Sequence, residues 1–179
     1  MNNSTTLDTS HLTTSNIKLR KLTLKDAEFI LQLMNDPDCL RYIGDRGIKN
    51  IEDAQKYIQQ GPQKMYQQDA IGLLVVESLV DGNAMGLCGL LKRPELPIPD
   101  LGFALLPAYR KQGVISAAAQ LVLNDAAKRK VTPKVLALTS LDNEKSINLL
   151  GHFGFVFKEI VDLKNNGDKT KLFELPLNF

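Results

Sequence analysis

The 179-residue sequence predicts an α+β fold in which helices flank a mixed, mostly antiparallel central sheet. Two apolar runs, residues 70–79 and 84–91, are separated by a turn at residues 80–83, which indicates an antiparallel hairpin. Further along, residues 101–106 and 134–139 resemble strands and are separated by a predicted helix of about 17 residues. A strand–helix–strand connection of this length predicts right-handed, parallel pairing of those two strands.

The segment before the hairpin predicts a strand followed by an amphipathic helix. Residues 17–22 alternate between apolar and polar side chains, as in a strand. Thr23 and Asp26 form an aspartate version of a capping box at the start of the helix. The apolar side chains expected to face the core are those of Ala27, Ile30, Leu31 and Met34.

A second helix is predicted after residues 35–38, whose Asn-Asp-Pro-Asp sequence ends the first one. It begins at Asn50, with Asp53 in its first turn. Residues 61–62, Gly-Pro, end or kink it, and residues 63–68 form a further helical turn or a loop. Its inward positions are Ile51, Ala54 and Ile58.

The C-terminal part predicts a short helix and a last hairpin. Asp142 is expected to cap the helix, and Gly154 to end it in the left-handed conformation. The apolar face of the helix carries Ile147, Leu150 and Phe153. Residues 155–163 and 170–175 are predicted as the last strands, joined by a turn at residues 165–167, Asn-Asn-Gly.

Composition narrows the class of protein. Hydrophobic residues make up 44% and charged residues 23% of the chain, which are ordinary globular values. The net charge of +2 and the dispersed basic residues argue against nucleic acid as a partner. No run approaches the roughly 18 apolar residues of a membrane span. We therefore expect no membrane association. The composition leaves a monomer and a homodimer equally open.

The cysteines and the N-terminal segment indicate the compartment and the domain bounds. Cys39 and Cys88 match no metal or redox spacing, so we interpret them as free thiols in a reducing compartment. Residues 1–15 lack the features of a secretory signal and are expected to form a disordered tail. The expectation is a cytoplasmic protein with a single domain over residues 16–179.

The segment after the strand at residues 101–106 is typical of a phosphate-binding loop. Pro107 ends the strand, and a basic loop containing Arg110 and Lys111 leads through Gly113 into a helix. The first turn of a helix has free N–H groups and a favourable dipole for anions, and glycine leaves room for an anion to approach. The alternative interpretation of such a loop is an ordinary solvated surface.

Two separate stretches then point to one family. Leu101-Gly-Phe-Ala-Leu-Leu-Pro-x-Tyr-Arg-x-x-Gly113 and Asp142-Asn-x-x-Ser-Ile-x-x-Leu-x-x-Phe-Gly-Phe155 stand in the order and at the spacing of the GCN5-related N-acetyltransferases (GNAT), which the chain resembles over about residues 17–175. It looks most like their RimJ/RimL-like branch of ribosomal-protein N-terminal acetyltransferases, in which residues 19–27 and 35–43 also have counterparts. The resemblance implies the GNAT fold.

In that family, acetyl-CoA lies in a V-shaped gap where the two parallel strands splay apart. The resemblance implies that backbone groups of Ala104, Leu105 and Leu106 pair with the pantetheine arm and that Asn143 contacts the same arm. It places the pyrophosphate on Arg110, Lys111, Gln112, Gly113, Val114, Ile115 and Ser116. Ile115 stands where the family pattern has a small residue, which crowds the start of the helix.

The resemblance also suggests catalytic groups. Asp100 stands where relatives often carry a glutamate and is the candidate base, acting through a water; the alternative is a solvated loop carboxylate. A backbone N–H near Leu105 would stabilise the oxyanion. Many relatives use a tyrosine as the acid at the position of Leu150, so Ser146 is the candidate acid here; the alternative is an ordinary first-turn serine.

The predicted function is an acetyl-CoA-dependent N-acetyltransferase in which a primary amine attacks directly in a ternary complex. The amine belongs to a protein N-terminus or to a small molecule. The alternative is a non-catalytic module of the same fold that binds CoA or another anion. The sequence contains no zinc or P-loop motif, and one glycine in the loop is too few for a dinucleotide fingerprint. Residues 39–68, residues 92–99 and the last hairpin are expected to determine the substrate.

Overall fold

The computed structural model describes residues 7–178 of the chain. Within this range the strands are β1 (Ile17–Arg20), β2 (Leu73–Ser78), β3 (Ala84–Leu91), β4 (Asp100–Leu105), β5 (Lys134–Ser140), β6 (Val156–Val161) and β7 (Thr170–Pro176). The α-helices are α1 (Ala27–Met34), α2 (Pro37–Tyr42), α3 (Ile51–Ile58), α4 (Lys64–Gln68), α5 (Val114–Lys128) and α6 (Glu144–His152). None of these helices is both long enough and apolar enough to cross a membrane.

The strands form one mixed sheet in the order β1-β2-β3-β4-β5-β7-β6. Every neighbouring pair is antiparallel except β4 and β5, which are parallel and are joined by α5. The predicted mixed, mostly antiparallel sheet with one parallel pair is therefore confirmed. Residues 92–99 form the predicted loop between β3 and β4.

Alternation along β2 sends side chains to two separate hydrophobic cores, one on each face of the sheet. The first, the α5 core, contains Ala118, Ala119, Val122, Leu123 and Ala126 of α5 with Leu74 and Val76 of β2. The second, the α1–α3 core, contains Ile30 and Leu33 of α1 and Ala54 and Ile58 of α3 with Leu73 and Val75 of β2. Burying each large apolar side chain stabilises the fold by about 1.5–3 kcal/mol.

The N-terminal helices follow most of the predicted signals. Thr23 and Asp26 form the capping box, and Asn50 caps α3 by accepting a hydrogen bond from the Asp53 N–H at 2.8 Å. The helical path continues through a π-turn at Gln59–Gln63 around Pro62 into α4, so the proline kinks the path without ending it. The prediction for Ile51 is wrong: as the first residue of α3 it points into solvent and is 39% exposed.

Residues 7–15 do not form the loose tail expected for residues 1–15. Leu7 and Leu12 are buried in the α5 core, 4% and 2% exposed, because they cover apolar surface beside β1. The His11 ring nitrogen lies 2.9 Å from the Asp125 carboxylate of α5 and holds the segment in place. Residues 1–6 of the expected tail lie outside the described residues.

Two predictions in the C-terminal part need correction. Asn143 caps α6 in place of Asp142, because its side-chain oxygen accepts from the Ser146 N–H. The connection between β6 and β7 is a longer loop closed by Asp162, whose carboxylate accepts from the Asn166 and Gly167 N–H groups. Strand β6 ends at Val161 and β7 begins at Thr170, so the two strands do not extend to the predicted turn at residues 165–167. Gly154 does end α6 in the left-handed conformation, with φ of 85°.

Candidate functional site

The sheet splits between its two parallel strands. The recorded register between β4 and β5 is Asp100 opposite Leu136, supported by a hydrogen bond from the Leu136 N–H to the Pro99 carbonyl at 3.0 Å. Beyond this pair the strands of the described chain share no further register, so both have an unpaired backbone edge facing a gap. The predicted splay of the two strands is confirmed.

Leu105 exposes its backbone to the gap. The Leu106 N–H donates to the Met85 carbonyl of β3 at 2.9 Å, and successive backbone groups of a strand point in opposite directions. The Leu105 N–H therefore points away from β3, into the gap. Ala104 lies against the α1–α3 core, and Leu106 is buried in it.

The loop after β4 leaves the first turn of α5 without a side-chain cap. Gly113, the N-cap residue, adopts the left-handed conformation with φ of 74°, and a Cβ placed on it would meet no heavy atom within 4 Å. The N–H groups of Val114, Ile115 and Ser116 occupy the first turn, before the first helical bond from Ala117 N–H to the Gly113 carbonyl. This is the arrangement that an anion requires.

The side chain of Arg110 is bonded to groups outside that helix terminus. Its two terminal nitrogens donate to Asp36 at 2.5 Å and to Asp38 at 2.7 Å, and its Nε donates to the Leu105 carbonyl at 3.2 Å. These three acceptors neutralise and orient the guanidinium. The predicted role of the Arg110 side chain as a phosphate donor is therefore not supported by its position, whereas its neighbour Lys111 is exposed.

Asn143 and Ser146 lie at the start of α6, on the β5 side of the gap. Both are half-buried, and the Asn143 Oδ1 accepts from the Ser146 N–H at 3.2 Å. The Ser146 hydroxyl is therefore not the group that caps the helix. The acid position of many relatives holds Leu150, which is 1% exposed within the α5 core and contributes no proton donor.

Asp100 is a buried carboxylate at the closed end of the gap. It is 1% exposed, and Arg93 Nε donates to both of its oxygens, at 2.9 and 3.0 Å. Burial raises the pKa of Asp100, while the Arg93 cation and the more distant Glu95 carboxylate act in opposite directions on it. The alternative of a solvated loop carboxylate is therefore wrong. Asp100 lies five residues before Leu105, about 16 Å along the strand.

Thr139 places a buried hydroxyl beside the gap. It lies near the end of β5, beyond the paired residue Leu136, and is 6% exposed. Its Oγ1 has no hydrogen-bond partner within the described residues. A buried hydroxyl without a partner is costly, so it is a candidate contact for a polar ligand group. Sequence patterns gave no indication of this residue.

A cleft of about 340 Å³ lies at the closed end of the gap. Leu136, the register partner of Asp100, forms part of its floor. Its walls come from residues 95–98 of the β3–β4 loop and from the β6–β7 hairpin, including Glu95, Lys158, Glu159, Leu172 and Glu174. Two of the three segments predicted to determine the substrate therefore meet at this cleft.

Acidic residues in the segment between α1 and β2 have local structural roles. Asp36 caps α2 by accepting from the Asp38 and Cys39 N–H groups. Asp45 accepts from the Gly47 N–H, and Asp53 accepts from the Lys49 N–H. Such capping and turn bonds explain these residues without a ligand.

Comparison with known proteins extends these observations. A family model described as "Acetyltransferase (GNAT) domain" matches residues 16–156. The fold is similar to an acetyltransferase from Agrobacterium tumefaciens, with a TM-score of 0.77, 18% identity and coverage of 92% of each chain. A search of curated protein sequences matches no relative.

Two further solved structures share the fold at low identity. One is the Salmonella typhimurium acetyltransferase that modifies the N-terminal serine of ribosomal protein L7/L12, with a TM-score of 0.77, 14% identity and coverage of 92% of this chain and 97% of that one. The other is the microcin C7 self-immunity acetyltransferase MccE in complex with acetyl-CoA and AMP, with a TM-score of 0.77, 16% identity and coverage of 91% and 93%. At these identities the likeness concerns the fold alone.

Proposed function

Because the chain belongs to the GNAT acetyltransferase family, we propose that it transfers an acetyl group from acetyl-CoA to a primary amine. The observation that carries this proposal is the gap between β4 and β5, with an uncapped helix terminus at its open end and a buried carboxylate at its closed end. Acetyl-CoA supplies an activated thioester, and the amine attacks it directly while both are bound.

Residues of this chain have the features needed to hold acetyl-CoA. The free N–H groups of Val114, Ile115 and Ser116 would bind the pyrophosphate, with Lys111 as the nearby cation. On the unpaired edge of β4, the backbone of Leu105 would pair with an amide of the pantetheine arm, as an added strand does, whereas the N–H groups of its neighbours Ala104 and Leu106 face β3. Asn143 and the Thr139 hydroxyl would contact that arm from the β5 side.

Asp100 is the proposed base. Its raised pKa suits a group that must accept a proton from an ammonium nucleophile, because a carboxylate at the ordinary aspartate value is too weak a base near neutral pH. Because Asp100 is enclosed by Arg93 and lies about 16 Å along the strand from Leu105, the proton would reach it through a chain of waters and not by direct contact with the amine. The Leu105 N–H would stabilise negative charge on the acetyl oxygen.

Ser146 is the proposed proton donor to the departing thiolate. Its hydroxyl lies in the first turn of α6, and the cap bond uses only its backbone N–H. The neighbouring Asn143 carboxamide caps the helix and so holds its first turn beside the gap. The chemistry therefore does not require a tyrosine at position 150.

The acceptor is proposed to enter through the cleft beside Leu136. The cleft includes Leu136, the register partner of Asp100, and combines an apolar floor with carboxylates at Glu95 and Glu159, which suits a positively charged amine on a partly apolar group. The N-terminal amine of a peptide and a small-molecule amine both fit this description. The RimJ/RimL-like motifs at residues 19–27 and 35–43 favour the peptide N-terminus as the acceptor. The proposed location of this enzyme is the cytoplasm.

The test is release of free thiol from acetyl-CoA in the presence of a panel of N-terminal peptides and small amines. We expect amine-dependent thiol release that falls about 10²-fold or more in Asp100→Asn. CoA affinity, measured by calorimetry, should change little in that variant. Tight CoA binding without thiol release for any amine would contradict the transferase and leave the non-catalytic binding module.

A further inference from the structure

Helix α2 is bonded to both loops that leave the parallel strands. On the β4 side, Asp36 and Asp38 accept from Arg110 at 2.5 and 2.7 Å. On the β5 side, the Arg41 Nη2 donates to Asp142 at 2.7 Å. Because the carboxyl ends of parallel strands lie at the same edge of a sheet, these bonds place α2 across the open end of the gap.

The two attachments of α2 differ in burial. Asp36 is 5% exposed and Arg110 28% exposed, and Asp36 also caps α2. In contrast, Arg41 is 63% and Asp142 59% exposed. A buried charge is costly to leave without its partner, whereas an exposed ion pair contributes about 0–1 kcal/mol. The β4 attachment is therefore the permanent one, and the β5 attachment can open and close.

Asp142 connects the exposed attachment to the candidate site. It directly precedes Asn143, whose side chain caps α6 and lies beside the gap. A bond from Arg41 that fixes Asp142 also fixes the backbone from which the Asn143 side chain starts. Arg41 thus acts on the gap through two residues and has no need to touch a ligand itself.

We propose that α2 is a strap over the gap, and that the Arg41–Asp142 pair positions Asn143 for the pantetheine arm of acetyl-CoA. When the pair is closed, the loops after β4 and β5 are held at the separation that the arm requires. When it opens, the gap widens and the arm can enter or leave. This inference rests on the proposed binding of acetyl-CoA in the gap.

The experiment compares CoA affinity by calorimetry, and KM for acetyl-CoA with kcat, in the full-length chain. Arg41→Ala and Asp142→Asn should each weaken CoA binding about two- to five-fold, the range expected for an exposed ion pair. They should leave kcat unchanged. When all chains are measured in about 1 M salt, the unaltered chain and the variants should bind CoA with equal affinity, because exposed pairs are screened.

Asp142→Asn separates positioning from general attraction. CoA is an anion, so removal of a negative charge near its site should tighten binding if only overall charge mattered. The strap predicts weaker binding instead. The charge-exchanged double variant Arg41→Asp with Asp142→Arg should restore most of the affinity, because the pair re-forms in reverse.

Lys56→Ala is the matched control. It also removes one exposed cation from an ion pair, the one with Glu52 at 2.9 Å on α3, but it does not connect the two loops. Its CoA affinity should equal that of the unaltered chain. An equal loss in Lys56→Ala, unchanged or tighter binding in Asp142→Asn, or no recovery in the double variant would each overturn the strap. Absence of CoA binding by the unaltered chain would overturn the proposed function itself and the strap with it.

Discussion

Arg93 and Asp100 form an ion pair in which a single nitrogen, Nε, lies within 3.0 Å of both carboxylate oxygens. The carboxylate is 1% exposed and the arginine side chain 31%. Because burial and Arg93 shift the pKa of Asp100 in opposite directions, with burial the stronger, the arginine limits how far the pKa rises. The basicity of this carboxylate therefore depends on a loop residue.

We predict that Arg93→Gln moves the acidic limb of the pH profile of kcat/KM to higher pH. Removing the cation disfavours the carboxylate, so its pKa rises further and the deprotonated base forms only at higher pH. The loss of activity should be larger at pH 6 than at pH 8. Arg93→Lys keeps a cation, so the acidic limb of its pH profile should lie between those of the unaltered chain and Arg93→Gln.

Lys92→Gln is the control for this pH profile. Lys92 precedes Arg93 in the same loop but pairs with Asp69 at 2.6 Å. Its limb should coincide with that of the unaltered chain. If Arg93→Gln also leaves the limb in place, Asp100 is not the group that titrates.

Asn143 and Ser146 should separate helix capping from chemistry. Asn143→Ala removes the cap of α6 and should lower the free energy of unfolding by about 1 kcal/mol. Ser146→Ala keeps the backbone N–H that bonds to Asn143, so its free energy of unfolding should change by less than about 0.5 kcal/mol. Its kcat, however, should fall about 10²-fold if the hydroxyl donates a proton. Urea denaturation and steady-state kinetics measure the two effects, and an unchanged kcat in Ser146→Ala would exclude the serine as the acid.

Gly113→Ala should weaken CoA binding and the fold together. The left-handed conformation at φ of 74° costs a residue with a Cβ about 1–2 kcal/mol, and the Cβ stands where the anion approaches. The control is Gly151→Ala in α6, where the added Cβ also meets nothing within 4 Å but the helical backbone favours alanine by about 0.5–1 kcal/mol. Denaturation should therefore show that the free energy of unfolding falls in Gly113→Ala and rises in Gly151→Ala. Calorimetry measures CoA affinity, and an equal affinity in the two variants would contradict the anion site.

Thr139→Val should change ligand affinity without loss of stability. The hydroxyl has no partner within the described residues, so its removal should leave the free energy of unfolding unchanged or raise it by up to about 1 kcal/mol. Affinity for CoA should fall. Thr132→Val is the matched control, because the Thr132 hydroxyl donates to the Lys134 carbonyl at 2.8 Å and its loss should cost about 1 kcal/mol. Unchanged CoA affinity in Thr139→Val would remove this hydroxyl from the proposed site.

Local patterns predicted most elements and their order, because strands, caps and turns depend on neighbours in sequence. They did not predict α2, which begins at Pro37, inside the segment expected only to end the preceding helix. The hairpin at residues 80–83, the Thr23–Asp26 capping box and the parallel pair follow from such patterns. Asp142 and Asn143 are both good capping residues, and only the backbone of the folded loop selects Asn143.

The partners of charged side chains could not be predicted in the same way. Arg110 belongs to a basic loop whose sequence suggests phosphate binding, yet its acceptors Asp36 and Asp38 lie more than 70 positions away in the chain. The sequence places Arg93 only in a loop, although its side chain determines the environment of Asp100. Such pairs depend on how elements pack in three dimensions, whereas periodicity in the sequence predicts only the local secondary structure.

The single register pair of Asp100 and Leu136 also has a mechanical consequence. Strands β1 to β4 and strands β5 to β7 form two blocks of backbone hydrogen bonds that meet at one seam. Hydrogen exchange should therefore divide the sheet into two cooperative units with separate opening energies. If CoA binds in the gap as proposed, it would hydrogen-bond to both strands. The two units would then open as one, and amides on both sides of the gap would gain protection together.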